Sequence, residues 1–187
     1  VLRNVLGMGT VAYTAVFGLC GATVTVTIAV AASLVRRFSQ ARQVRVGLIA
    51  GLVVDTVFAG VCLMWLREPV TGPERMPLLV AVVALFLAHV ACLGLAMGNA
   101  PALALDRTGR WAGTGSALLG FLQFVVGGLV SPLVGLTGEA SGVAFGVVIV
   151  AVGAAANVLA VFGLRERSEK QRLAAQASER RSQRLGQ

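Results

Sequence analysis

Long, mostly uncharged apolar stretches alternate with short charged loops along this 187-residue chain. Five stretches each supply the roughly 20 apolar residues that a helix needs to cross a bilayer. They are too long for membrane β-strands and do not alternate in polarity, and backbone polar groups in lipid must be satisfied internally, so the pattern predicts helices. The predicted spans cover about 8–35, 46–66, 76–105, 111–136 and 141–164, and a basic tail follows over 165–187.

The composition agrees with a membrane protein, because hydrophobic residues make up 57% of the chain and charged residues only 13%. A soluble domain of this length needs more polar surface. The net charge of +8 raises nucleic acid as an alternative partner. The basic residues lie in loops, however, and no soluble domain remains to form a binding face. We therefore predict an all-α polytopic membrane protein with five transmembrane helices and no nucleic-acid partner.

The basic residues also predict an orientation, because they concentrate in every second loop. The loops over 36–45 and 106–110 and the tail hold four, two and seven Lys or Arg residues, against three on the other side. Cytoplasmic loops are enriched in Lys and Arg. We expect a protein integral to the cell (inner) membrane and surrounded by lipid, with its N-terminus outside and its C-terminus in the cytoplasm.

Two ionisable residues, Asp55 and His89, lie inside the predicted spans, where such groups are costly and often functional. For Asp55, two interpretations stay open: proton carriage or attraction of a cationic substrate, and a hydrogen-bonded carboxyl packed against a neighbouring helix. For His89, the alternatives are a place in a proton pathway and a neutral ring bonded to a backbone carbonyl.

Small and polar residues recur at spacings of three or four in the fourth span, which places them on one side of a helix. Such a face lets another backbone approach closely or lines an aqueous cavity, and Gln123 lies centrally, where it could bond a substrate. The face consists of Ser116, Gly120, Gln123, Gly127 and Ser131.

The first and fifth spans carry similar sets of small and polar residues, and three pairs of glycines four residues apart are interpreted mainly as packing positions. The set in the first span is Thr14, Gly18, Gly21 and Thr25, and that in the fifth is Gly142, Gly146, Gly153 and Asn157. The glycine pairs are Gly47–Gly51, Gly94–Gly98 and Gly142–Gly146.

Enzyme chemistry is not expected. The three cysteines lie in apolar runs without a metal-ligand cluster, and the phosphate-loop, zinc-protease and nucleophile-elbow motifs are absent from the sequence. We predict neither a bound metal nor a cofactor.

Two stretches resemble one transporter family. Gly-Asn-Ala-Pro-Ala-Leu-Ala-Leu at 98–105 and Ala-Gly-Thr-Gly-Ser-Ala-Leu-Leu-Gly-Phe-Leu-Gln-Phe at 112–124 are similar to spans ten and eleven of the major facilitator superfamily, specifically Bcr/CflA-type drug:proton antiporters. Ser-Leu-Val-Arg-Arg-Phe at 33–38 resembles the end of span eight. The Asp-Arg-Thr-Gly-Arg run at 106–110 resembles a loop signature that the family carries elsewhere, and we interpret it as fortuitous or as a charged helix boundary.

The resemblance implies a partial C-terminal bundle made of spans eight to twelve. An odd number of spans and a sequence that begins almost inside the first of them, without Met, fit this expectation. The implied function is efflux of small molecules, including lipophilic drugs, by proton antiport and alternating access against a missing N-terminal bundle, with the proton gradient as energy source. Analogy favours His89, Asn99 and Gln123 as cavity residues over Asp55 in span nine. The alternatives are a transporter of a metabolite or sugar, and a truncated or stand-alone five-span protein without transport activity.

Overall fold

The computed structural model describes residues 6–66, 70, 72–106, 108–135 and 142–163. Within those ranges the chain forms five long helices and no strand, which confirms the all-α fold, and each helix is long and apolar enough to cross a membrane. The tail over 165–187 and the loop over 137–140 lie outside the described residues. The helices are α1 (Thr10–Leu34), α2 (Gln40–Trp65), α3 (Arg75–Leu105), α4 (Ala112–Gly135) and α5 (Val143–Gly163).

The second helix begins at Gln40 and not near Val46, where the apolar run starts. Ser39 has an extended backbone, and its hydroxyl oxygen accepts a hydrogen bond from the backbone N–H of Arg42 at 3.4 Å. Serine stabilises helix starts in this way because the first N–H groups have no partner within the helix. Gln43, expected in a loop, is consequently a buried residue of the first helical turns.

Helix α3 packs against α1 and α2 on different sides. A Cβ atom at Gly94 of α3 would come within 2.7 Å of the Thr27 Cβ atom in α1. A Cβ atom at Gly47 of α2 would come within 2.8 Å of the Cys92 carbonyl oxygen in α3. Close van der Waals contact of this kind stabilises helix pairs in lipid, where there is little hydrophobic drive between helices.

Helix α5 packs along α2. A Cβ atom at Gly146 would lie 3.0 Å from the Cβ atom of Cys62, and the backbone N–H of Gly142 donates to the Leu66 carbonyl oxygen at 2.8 Å. The apolar core at this end of the bundle joins α2, α3 and the residues before α1, and Phe145 of α5 packs on it. Its buried residues are Leu6, Phe58, Cys62, Leu66 and Val82.

The segment before α1 is attached to the start of α3 by Arg75. Its guanidinium group donates from Nε to the Leu6 carbonyl oxygen at 2.8 Å and from a terminal nitrogen to that of Gly7 at 2.6 Å. Hydrogen bonds from a charged donor are stronger than neutral ones. Arg75, which the charge pattern assigned to a loop, is therefore the first residue of α3 and holds the ends of two helices together.

Helix α4 is joined to α3 by a tight connection. The Thr108 hydroxyl donates to the Leu105 carbonyl oxygen at 2.7 Å, and Gly109 has a φ of +49° at the start of a single 3-10 turn (Gly109–Trp111). A Cβ atom at Gly115 would lie 2.7 Å from the methyl carbon of Thr108. Beyond this connection α4 makes few contacts, and none of its residues up to Pro132 is buried.

Candidate functional site

Asp55 and His89 are in contact between α2 and α3. The Nδ1 atom of His89 lies 2.5 Å from Oδ1 of Asp55, and the two side chains are 16% and 4% exposed, respectively. The ring of Phe86 lies beside the imidazole, with 6.4 Å between ring centroids. Placing two ionisable groups in apolar surroundings is costly, and pairing offsets part of that cost. The two residues lie 34 positions apart in the sequence, and the structure makes them one site.

Each member of the pair keeps one polar atom without a hydrogen bond among the described residues. Oδ2 of Asp55 faces Gly153 of α5, where a Cβ atom would come within 2.8 Å of the oxygen, so only glycine fits there without a shift. Nε2 of His89 has no bonding partner in the described ranges. A buried ion pair is stable as a structural element when further hydrogen bonds satisfy its remaining atoms. The described residues supply none, so the pair retains capacity for a proton or a polar ligand atom.

A cavity of about 220 Å³ lies beside the pair, between α2, α3 and α5. Its polar side chains are those of Asp55, His89 and Asn157, and the thiol-bearing Cys92 also lines it. Sites for drug-sized ligands usually have volumes of roughly 300–1,000 Å³. The cavity therefore suits water or a small ion better than a drug-sized molecule. Its apolar lining consists of Gly47, Leu48, Gly51, Leu52, Leu93, Ala96, Ile149, Val152, Gly153 and Ala156.

Asn157 fixes α5 to α2 at the other end of this cavity. Its Nδ2 atom donates to the Leu48 carbonyl oxygen at 2.9 Å and to the Gly153 carbonyl oxygen of its own helix at 2.9 Å. Side-chain amides in membrane helices often bond across a helix pair in this way. The small and polar face of the fifth span is thus a packing face against α2.

Asn99, a predicted cavity residue, forms a second buried polar pair with Gln43. Its Nδ2 atom donates to Oε1 of Gln43 at 3.2 Å and to the Leu95 carbonyl oxygen at 2.9 Å. The Gln43 amide in turn donates to the Phe38 carbonyl oxygen at 3.3 Å. These bonds join α2 to α3 without a titratable group. A role of Asn99 in a substrate cavity stays a prediction.

The predicted face of α4 has no partner in the part of the chain that the structure describes. Gln123 is exposed and makes no hydrogen bond there, and Cβ atoms at Gly120 and Gly127 would meet nothing within 4 Å. Ser116 is exposed and bonds only within its own helix, to the Gly113 carbonyl oxygen, and Ser131 is exposed as well. Whether this face lines a cavity also stays a prediction.

The small and polar residues predicted to form a face on α1 are also exposed, like most of those of α4. Thr14 and Thr25 are exposed and donate to carbonyl oxygens of their own helix, and Cβ atoms at Gly18 and Gly21 would meet nothing within 4 Å. The residue of α1 that contacts Gly94 of α3 is Thr27, on another side of the helix. Two small and polar faces, on α1 and α4, therefore point away from the described contacts.

Three features of the buried site were missed in the sequence: the contact of Asp55 with His89, Gln43 as partner of Asn99, and Gly153 beside the carboxylate. Ser39 followed by a polar stretch was a signal for the earlier helix start, which would have placed Gln43 in α2. The other two depend on how α2, α3 and α5 pack, which spacing within a single helix does not determine. Among the described residues, no group of three or more His, Cys, Asp or Glu residues could hold a metal ion.

Comparison with known proteins gives one informative similarity. The chain is 38% identical over 88 residues to a protein of Bacillus subtilis (strain 168) described as an uncharacterized MFS-type transporter, YdgK. The match covers 47% of this chain and 21% of that protein, so the chain spans a small part of its relative's length. It supports the resemblance at the level of the major facilitator superfamily, and the Bcr/CflA type stays a prediction. No protein-family model and no solved structure matches the chain.

Proposed function

We propose that this chain is the C-terminal part of a major-facilitator secondary transporter that exports small molecules by proton antiport. The exposed small and polar faces of α1 and α4 carry this proposal, because polar groups inside a membrane helix normally face a bundle interior or a water-filled cavity. The similarity to an MFS-type transporter supports transport of a small molecule and favours transport over enzymatic catalysis.

In this proposal, the two faces border a substrate pathway shared with a second helical bundle, the N-terminal half of the same transporter. Gln123 lies centrally on the α4 face, where its amide can both donate to and accept from a substrate. Small residues on either side of it, Gly120 and Gly127, leave room for a ligand or a facing helix. Alternating access then consists of rocking one bundle against the other around this pathway.

The substrate class that fits best is a lipophilic drug-sized molecule. The α4 face carries a few polar side chains on a helix whose other exposed residues are mainly apolar, and sites for such ligands usually combine an apolar lining with few polar groups. In this proposal the proton gradient across the cell's inner membrane supplies the energy, and the Lys and Arg pattern favours a cytoplasmic C-terminus. No cofactor is required.

The proposal is tested in cells that lack their main drug exporters and produce the complete gene product containing this chain. Accumulation of a fluorescent amphipathic drug should fall in energised cells, and a protonophore should restore it. Unchanged accumulation across a broad drug panel would contradict drug export.

A matched pair of variants tests the face itself. Gln123→Ala should raise drug accumulation because it removes the central polar group of the α4 face. Val125→Ala lies roughly 200° around the same helix and should leave accumulation unchanged at equal protein level. Equal effects of the two substitutions would show that the face has no special role.

A further inference from the structure

Proton antiport requires a group that binds and releases a proton within the membrane, and α2 and α3 contain one arrangement suited to it. We propose that the Asp55–His89 pair is the proton-binding site of this bundle and that the cavity between α2, α3 and α5 is its aqueous route. This inference rests on the proposed proton-coupled export and assigns its coupling site.

Two polar atoms of the pair, Nε2 of His89 and Oδ2 of Asp55, have no hydrogen-bond partner among the described residues, and Nε2 is the atom that takes up the proton. With Nδ1–H of a neutral His89 donating to ionised Asp55, the pair has a net charge of −1. One proton added at Nε2 gives an imidazolium–carboxylate pair with no net charge, and loss of that proton from Nε2 restores the first state. Proton binding thus removes a net charge from the membrane interior, where an uncompensated charge is costly.

Among the described residues around the pair, no other group would take over this role. Helix α2 contributes Asp55 itself, and α3 contributes His89 and the Cys92 thiol on the cavity wall. The described part of α5, Val143–Gly163, has no ionisable side chain and faces the pair with Gly153 and the neutral amide of Asn157. The charge state at this site therefore depends on Asp55 and His89 together.

In this proposal the cavity serves the proton and not the substrate. Its volume of about 220 Å³ holds several water molecules, given that a water occupies roughly 30 Å³ of the liquid. Asp55, His89 and Asn157 provide polar partners for such water. A drug-sized substrate is too large for this space, which separates the proton site from the exposed faces of α1 and α4.

Helix α3 links the two regions mechanically. Gly94, which contacts α1, and His89, which contacts α2, are five residues apart and hence about 140° apart around the helix. The proposal is that a change in the α2–α3 contact on proton binding alters the contact of α3 with α1, whose small and polar face borders the proposed substrate pathway. Proton binding can in this way bias the substrate pathway at a distance.

The single histidine of the chain makes the proton site directly measurable. The 187-residue chain is labelled with ¹⁵N-histidine, purified with an affinity tag free of histidine, and placed in lipid nanodiscs. The ring nitrogen resonances of His89 are then followed by NMR as a function of pH. We expect the ring resonances to change reversibly with pH, and this change to differ in Asp55→Asn, which removes the carboxylate beside Nδ1.

Gln43→Met is the matched control, because it removes a buried polar contact between the same two helices without a titratable group. It should leave the pH dependence of the His89 resonances as it is in the wild type. A His89 resonance that does not change with pH while the protein stays folded, or a pH dependence that is the same in Asp55→Asn, would overturn the proposal.

A transport measurement separates this inference from the proposed function and covers the case in which Asp55→Asn fails to fold in isolation. In the complete gene product, Asp55→Asn and His89→Gln should each abolish drug export driven by a pH gradient, whereas Gln43→Met should retain it. Export that persists in both variants overturns the proton site and leaves the export function standing. Absence of export in the wild type, together with a His89 titration that depends on Asp55, contradicts the export function and supports the proton-binding site.

Discussion

Gly47 in α2 and Gly127 in α4 both belong to sets of small residues spaced along an apolar helix, yet their surroundings differ. A Cβ atom at Gly47 would approach the Cys92 carbonyl oxygen to 2.8 Å, whereas one at Gly127 would meet nothing within 4 Å. The same contrast holds for polar residues, since Asp55 and Asn99 are buried with partners and Gln123 is exposed without one among the described residues. Small and polar residues therefore hold α2, α3 and α5 together, whereas on α4 they form a surface that no described residue covers.

The largest effect on stability is expected from removing one member of the buried ion pair between α2 and α3. His89→Ala leaves the Asp55 carboxyl buried without its partner, and the expected loss in free energy of unfolding is about 3–5 kcal/mol. Reversible unfolding in mixed detergent micelles, followed by circular dichroism, measures this loss. A double variant carrying Asp55→Leu and His89→Leu leaves no unpaired charge and should be more stable than His89→Ala. A double variant less stable than the single one would show that the loss has another origin.

A smaller effect on stability is expected from adding one methyl group to the tight interface between α2 and α3. Gly47→Ala should lower the free energy of unfolding by about 1–3 kcal/mol, because α2 and α3 must separate to accept the new atom. The matched substitution Gly127→Ala should be neutral or stabilising by up to about 1 kcal/mol, since alanine favours helix more than glycine does. Thermal unfolding of the two variants in the same detergent compares them. Equal destabilisation would remove the distinction between the two regions.

The neutral polar pair between α2 and α3 should contribute less than the ion pair. Asn99→Leu removes the hydrogen bond to Gln43, and bonds between membrane helices contribute on average about 0.6 kcal/mol. A double-mutant cycle with Gln43→Met isolates the interaction energy of the pair. An interaction energy as large as that between Asp55 and His89 would contradict the ranking of the two pairs.

The smallest effect on stability is expected on α4, where one substitution should affect stability and export differently. Gln123→Leu should change the free energy of unfolding of the chain by no more than about 0.5 kcal/mol, as is usual for an exposed position without partners. The same substitution should nevertheless lower drug export by the complete gene product. A large loss of stability in the 187-residue chain would indicate that Gln123 is a packing residue after all.

The fold was largely predictable because bilayer thickness and backbone hydrogen bonding permit few alternatives for long apolar runs. The main discrepancy, the start of α2 at Gln40, arose because hydrophobicity marks where a helix enters lipid and not where its hydrogen bonding begins. Ser39 marked that start through its capping hydroxyl. Apolar length and capping residues thus report different boundaries of the same helix.

The candidate site was predictable in its residues but not in its arrangement. Asp55 and His89 stood out because ionisable groups are rare within membrane spans. Their contact depends on the rotation of α2 and α3 about their axes, which depends on close approaches such as that at Gly47. Spacing also predicted one face each on α1, α4 and α5, and it marked Gly142 and Gly146 of α5 as packing positions. It did not indicate that the faces of α1 and α4 lack contacts among the described residues, because a small residue suits both a tight contact and an open surface.

The open α4 face also has a consequence for how the protein is made and kept in the cell. Under the proposed function, α4 keeps Gln123 and its small neighbours facing lipid until a second bundle covers them. A chain made without that bundle would then resemble an unassembled subunit, which quality-control proteases of the membrane remove. Its lifetime in the cell should then report whether that second bundle is present, independently of any transported substrate.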